Sequence, residues 1–120
     1  MTTFALLLTS AGFASQSPGS ALQFARALLQ LGHSIDHIFL YQDAVLLASN
    51  QIDLPADEPD ISAELAEFCQ RQQIPLLFCV TAAEKRGLVS ETVPARNGYI
   101  GAGLAEFAMR QSNVDKLVQF

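Results

Sequence analysis

The feature that most constrains this sequence is an alternation. Short, almost wholly apolar runs at residues 4–8 (FALLL), 38–41 (IFLY, joined by Ile35) and 76–79 (LLFC) are separated by longer stretches whose apolar residues recur at helical spacing. A run without a polar face fits a strand covered on both sides, the situation of a parallel sheet and not of a half-wet antiparallel one. Strands separated by helices pair in parallel through right-handed crossovers, with helices on both faces. The expectation is therefore a small doubly wound three-layer α/β/α domain with a mainly parallel sheet. Its first and third strands, both short and wholly apolar, should be the central ones.

The helical stretches carry their own boundaries. Ser17 is placed to cap the first helix, with Pro18 in its first turn, Ala21, Leu22, Ala25, Leu28 and Leu29 along one stripe, and Gly32 as the stop. Gln42 and Asp43 begin a long surface connection through Pro55 and Pro59. Asp60 caps a second helix whose inner face is Ile61, Leu65, Phe68, Cys69 and Gln72, with Glu64, Glu67 and Arg71 facing away. A short helix follows Cys79, carries Lys85 and Arg86 in its last turn and stops at Gly87. Pro94, Asn97, Gly98, Gly101 and Gly103 break any long period after it, leaving Leu88-Val89 as a short edge strand or a turn. Leu104, Phe107, Ala108 and Gln111 support one more helix, and residues 116–120 a last strand.

Size and charge narrow the function. With 120 residues, half of them hydrophobic, the chain supports one domain with a real core, over residues 1–120. A net charge of -5 with only seven scattered basic residues argues against direct nucleic-acid binding. The apolar start lacks a positive leader and is about half a membrane-insertion length, so a cytoplasmic chain without a membrane span is expected. Cys69 and Cys79 are too few for a disulfide framework, and neither His lies near them in a zinc spacing; reduced cytosolic thiols follow.

Cys79 is the candidate site. It falls at the carboxyl end of a predicted strand and the start of a predicted helix, where parallel α/β sheets gather their functional groups. Unpaired N–H groups of Val80, Thr81 and Ala82 would there favour a thiolate or a persulfide anion. The competing role is a small buried hydrophobe, which is the reading for Cys69 from its helical phase. Named mechanisms are then tried in turn. A phosphatase loop needs Arg six positions after the Cys, where this chain has Lys85 with Arg86 one residue late and no glycine in the loop. Thioredoxin-like exchange needs a second Cys where Ala82 stands. His33 follows a helix stop and His37 lies within a strand opposite Ile38, so neither is a convincing base. A lone nucleophilic thiol that accepts and releases a sulfur atom is the chemistry that survives.

The segment FCVTAAEKRG fits the pattern Cys-Val-x-Ala-Ala-x-x-Arg-Gly, and with QFARALLQLGH, IFLYQDAV and DKLVQF it resembles the DsrE/TusD sulfur-relay family over nearly the whole chain. Thr81, Glu84 and the 49–51 loop are the departures. The resemblance implies a compact parallel α/β fold, a persulfide on Cys79, and no metal or organic cofactor. It also implies a heterohexamer with TusB/TusC-like or DsrF/DsrH-like subunits, a TusA-like donor and a TusE/DsrC-like acceptor. The sulfur would end in tRNA wobble 2-thiouridine or serve sulfur oxidation, and the sequence leaves that choice open. Loops 9–17 and 42–49 would wall the site, while Val93, Tyr99, Ile100, Leu104 and Phe107 would supply interface. Two alternatives stand beside this reading. One is a flavodoxin-like module holding FMN or a nucleotide at residues 10–20, without a glycine fingerprint; the other is a noncatalytic subunit in which Cys79 is only packed.

Overall fold

The computed structural model describes residues 2–10, 16–52 and 60–120. The connection through Pro55 and Pro59 and most of the first loop lie outside them. Five strands, β1 (Thr3–Leu8), β2 (Ser34–Leu40), β3 (Leu76–Cys79), β4 (Ile100–Ala102) and β5 (Lys116–Gln119), form one sheet in the order β4-β3-β2-β1-β5. Every pairing is parallel, so the expected α/β architecture is the observed one. The central strand is β2, flanked by β1 and β3. Its sequence contains Asp36 and His37 and so looks less apolar, but Asp36 sits where the register with β1 slips between Phe4 and Ala5.

Four helices connect the strands: α1 (Ser17–Gln30), α2 (Ile61–Gln72), α3 (Val80–Lys85) and α4 (Leu104–Gln111). The chain steps from β1 to β4 in one direction, so right-handed crossovers put the intervening helices on one face; the return to β5 sends α4 across the other. On that second face Phe107 stacks on Phe39, with ring centroids 4.6 Å apart, and meets His37 edge-on at 5.8 Å. The coverage is unequal. α1 buries Pro18, Ala21, Leu22, Ala25 and Leu28, whereas no residue of α4 is buried, and Leu104 and Met109 are 49% and 72% exposed.

Local chemistry explains the boundaries. The cap of α1 is Gln16, with Ser17 already helical, and Gly32 turns the chain at φ +86°. Asp60 caps α2 by accepting from the Ala63 N–H at 3.1 Å. Leu65, Phe68 and Cys69 are buried as expected, but the inward face also takes Ser62 and Ala66, while Gln72 is exposed. Residues 42–48 differ most from the expected surface loop. They form a 3₁₀ helix that buries Ala44, Val45, Leu47 and Ala48, because the apolar run AVLLA packs against β2, β3 and α3.

The stretch before β4 is irregular and is held by polar contacts. Ser62 Oγ donates to the Leu47 carbonyl at 2.6 Å, and Tyr99 Oη donates to the Ser62 carbonyl at 2.7 Å. Arg96 forks onto both Asp60 carboxylate oxygens at 3.2 and 2.9 Å. Tyr99 is thus a core residue and not interface material, and burial pushes its phenol up. Gly101 lets β4 approach, since a Cβ there would lie 2.7 Å from Val80 Cγ2.

Candidate functional site

Register fixes the place of Cys79. Phe78 pairs with Leu40 and Cys79 with Ala102, so the thiol stands at the carboxyl end of β3, beside Tyr41 as the chain leaves β2. A pocket of about 230 Å³ opens there, lined by Tyr41, Gln42, Cys79, Thr81, Ala82, Lys85, Arg86 and Leu104. Cys79 itself is only 2% exposed and forms the inner wall of that pocket.

Cys79 precedes the six-residue α3 without a capping side-chain hydrogen bond, and two cationic side chains at the end of that helix, Lys85 and Arg86, line the same pocket. Arg86 is held firmly at the pocket. Its Nε and Nη2 donate to Asp43 Oδ1 at 3.2 and 3.1 Å, and its Nη1 donates to the Ala82 carbonyl at 3.1 Å. This ties α3 to the 3₁₀ helix. Gln42 starts that helix with φ +52°, a left-handed conformation uncommon for a residue with a side chain, and the turn brings Gln42 into the pocket wall.

The other expected residues sort clearly. Cys69 is as buried as Cys79, but it lies on the inward face of α2, and burial pushes its thiol up to about 12. Neither histidine reaches the pocket. His33 Nδ1 accepts from the Thr2 N–H at 3.2 Å, and His37 is fully buried with Nδ1 2.8 Å from Asp36 Oδ2, beside the start of β3 and not its end. The wall expected from residues 42–49 is represented by Gln42. Of the 9–17 loop, Thr9 is bound to the Phe120 carbonyl through both its N–H and its hydroxyl, and residues 11–15 lie outside the described ones. The same five residues interrupt the proposed phosphate-binding loop at 10–20, whose residues 17–20 are already the first turn of α1.

Sequence reasoning missed Tyr41 and Leu104. Tyr41 enters because β2 and β3 are neighbours, and Leu104 because β4 precedes α4 at the same sheet edge. A signal for the Asp43–Arg86 pair existed: each residue follows shortly after the carboxyl end of one of two consecutive strands, where parallel neighbours bring them together. Among the described residues, no group of three or more His, Cys, Asp or Glu could hold a metal ion, and no helix is long and apolar enough to cross a membrane.

Comparison with known proteins gives a consistent picture. The DsrE/DsrF-like family model matches residues 3–120. The chain is 38% identical over 127 residues to the sulfurtransferase TusD homolog of Aliivibrio fischeri, covering 98% of this chain and 97% of that one. It is 37% identical over 130 residues to sulfurtransferase TusD of Serratia proteamaculans, with both chains covered completely. Among solved structures, the ychN protein from E. coli superposes with a TM-score of 0.83 at 26% identity, again over 100% of both chains.

Proposed function

This chain belongs to the DsrE/DsrF-like family, and from that premise we propose that it relays sulfane sulfur as a persulfide on Cys79. It is a sulfur-transferring enzyme of the TusD type. The observation that carries the assignment to Cys79 is the pocket. Of the two cysteines, Cys79 lines an open cavity at the carboxyl edge of the sheet, while Cys69 is sealed beneath α2 with its thiol raised to about 12.

The chemistry is two sulfur-transfer steps without net redox change. The Cys79 thiolate attacks the outer sulfur of a donor persulfide, R–S–SH; the new S–S bond forms on Cys79, the donor S–S bond breaks, and R–S⁻ departs. An acceptor thiolate then attacks the outer sulfur of the Cys79 persulfide, taking that sulfur and releasing the Cys79 thiolate. Neither step calls for a metal or an organic cofactor.

The partners in this reading are a TusA-like donor and a TusE/DsrC-like acceptor. The chain itself works within a heterohexamer with TusB/TusC-like or DsrF/DsrH-like subunits. Support for assembly is the thin cover of α4, where Leu104 and Met109 remain exposed, together with exposed Ile100 and Leu117 on the two edge strands β4 and β5. The relay operates in the cytosol, where both thiols stay reduced, and delivers sulfur toward tRNA thiolation or sulfur oxidation.

The test is mass spectrometry after incubation with a persulfide donor. One added sulfur is expected on the Cys79 peptide, absent in Cys79→Ser and retained in Cys69→Ser. An adduct confined to Cys69 would overturn the assignment.

A further inference from the structure

We infer that Arg86 is the charge-setting residue of the Cys79 pocket, holding anionic sulfur, and that Asp43 tempers it by occupying part of the guanidinium. The inference rests on the relay reading above for its purpose, but its geometry stands independently. A relay thiol must be anionic to attack, and must become anionic again when it leaves. A buried sulfur anion needs a compensating charge, or desolvation disfavours it. A helix of six residues supplies little of that charge, and no histidine lies in the pocket. The titratable and charged groups that line the pocket with the thiol are Tyr41, just past the end of β2, and Lys85 and Arg86 at the end of α3, with Asp43 of the 3₁₀ helix bound to Arg86; α4 contributes only the apolar Leu104.

Arg86 is the cation with a fixed position. Three hydrogen bonds, two to Asp43 and one to the Ala82 carbonyl, hold the guanidinium at the pocket, and its side chain is less exposed than that of Asp43. Both hydrogen bonds to Asp43 end on Oδ1 alone, so the carboxylate does not form the two-oxygen fork that would neutralise the guanidinium most completely. A guanidinium is charged at every working pH, so it is a constant bias and not a proton donor. Arg86 thus acts through the sulfur of Cys79 and does not itself exchange protons or sulfur.

A competing role is a purely mechanical clamp that joins α3 to the 3₁₀ helix. The two roles make opposite predictions for the two partners. If Arg86 sets the charge, Arg86→Gln raises the pH at which Cys79 alkylation reaches half its plateau, Asp43→Asn lowers it, and Arg86→Lys stays near the parent. The shifts should be about half a pH unit each and shrink in high salt. If the pair is only a clamp, both breaking variants loosen the same contact and move the profile in the same direction.

The experiment is the pH profile of Cys79 labelling by iodoacetamide, a neutral probe, on the purified full chain in a Cys69→Ser background, with each variant checked for cooperative unfolding. Opposite shifts support the inference; shifts of the same sign, or none, overturn it. Should Arg86→Gln fail to fold, the sign of the Asp43→Asn shift still decides. Persulfide loading of the same variants separates this from the relay reading. Loading without opposite shifts sinks only the role of Arg86, and opposite shifts without any loading sink only the relay.

Discussion

Cys69 and Cys79 make an informative pair, because their burial is the same at 2% and their surroundings are not. Cys69 sits on the inward face of α2, and desolvation alone pushes its thiol up. Cys79 ends a strand and is one of the residues that line an opening. The difference teaches that burial does not measure reactivity. What matters is whether the covering atoms leave a path and supply charge, and in a parallel sheet the carboxyl ends of strands do both.

The largest expected effect is on labelling. In the folded protein a maleimide should modify Cys79 at least about a thousandfold faster than Cys69, because Cys69 must wait for an opening of the kind that makes folded domains rare openers. Peptide mapping of a time course measures both rates in one sample. Comparable rates would erase the contrast.

Next comes a substitution that should move the two thiols in opposite directions. A methyl group at position 101 would lie 2.7 Å from Val80 Cγ2 and 3.6 Å from Phe78 Cζ. Val80 is β-branched and immediately follows Cys79, so it has little freedom to turn away. Gly101→Ala should destabilise by about 1–3 kcal/mol and slow Cys79 labelling, while Cys69, reached only by opening, labels faster in proportion to the lost stability. Urea denaturation with parallel labelling checks this; an unchanged Cys79 rate would mean that β4 does not shape the pocket.

Serine at each position sharpens the comparison further. Cys69→Ser places a hydroxyl among apolar side chains and should destabilise by about 1–2 kcal/mol. Cys79→Ser, whose hydroxyl can meet water in the pocket, should lose about 1 kcal/mol less. Equal losses would show that the pocket is dry.

These contrasts also mark what was legible in the sequence. The location of Cys79 was readable because Pro75 and four apolar residues delimit β3, and the burial of Cys69 because its helical phase matches Leu65 and Phe68. β4 was not readable. Its three residues, Ile100, Gly101 and Ala102, lack a strand signal of their own, and their pairing with β3 is held by contacts made elsewhere, by Tyr99 on Ser62 and Arg96 on Asp60. With β4 hidden, the contribution of Leu104 to the site was hidden as well. The 3₁₀ helix escaped because its apolar run is too short to declare a period, although AVLLA is a poor composition for a surface loop.

The smallest expected effect tests the anchor beneath Cys69. Asp60 caps α2 and is gripped by Arg96, whose hydrogen bonds are the main cause holding the Asp60 carboxyl below its usual 3.8; the cap on Ala63 adds to this against opposing desolvation. A carboxyl with a depressed folded value contributes stability that is fully present above the unfolded value and is lost as the pH falls through the folded one. Arg96→Met should therefore cost about 1 kcal/mol at pH 7, a modest figure because both side chains keep partial contact with solvent that screens them. The gap between parent and variant should hold down to about pH 4 and close below it, as Asp60 takes up its proton in both proteins. Urea midpoints at neutral and acid pH measure the closure. At pH 7 the same loss should speed Cys69 labelling by about fivefold, the factor that 1 kcal/mol represents, while Cys79, reached without unfolding, keeps its rate. If both cysteines accelerated together, access to Cys79 would also depend on opening the domain, and the distinction between a sealed thiol and a presented one would fail.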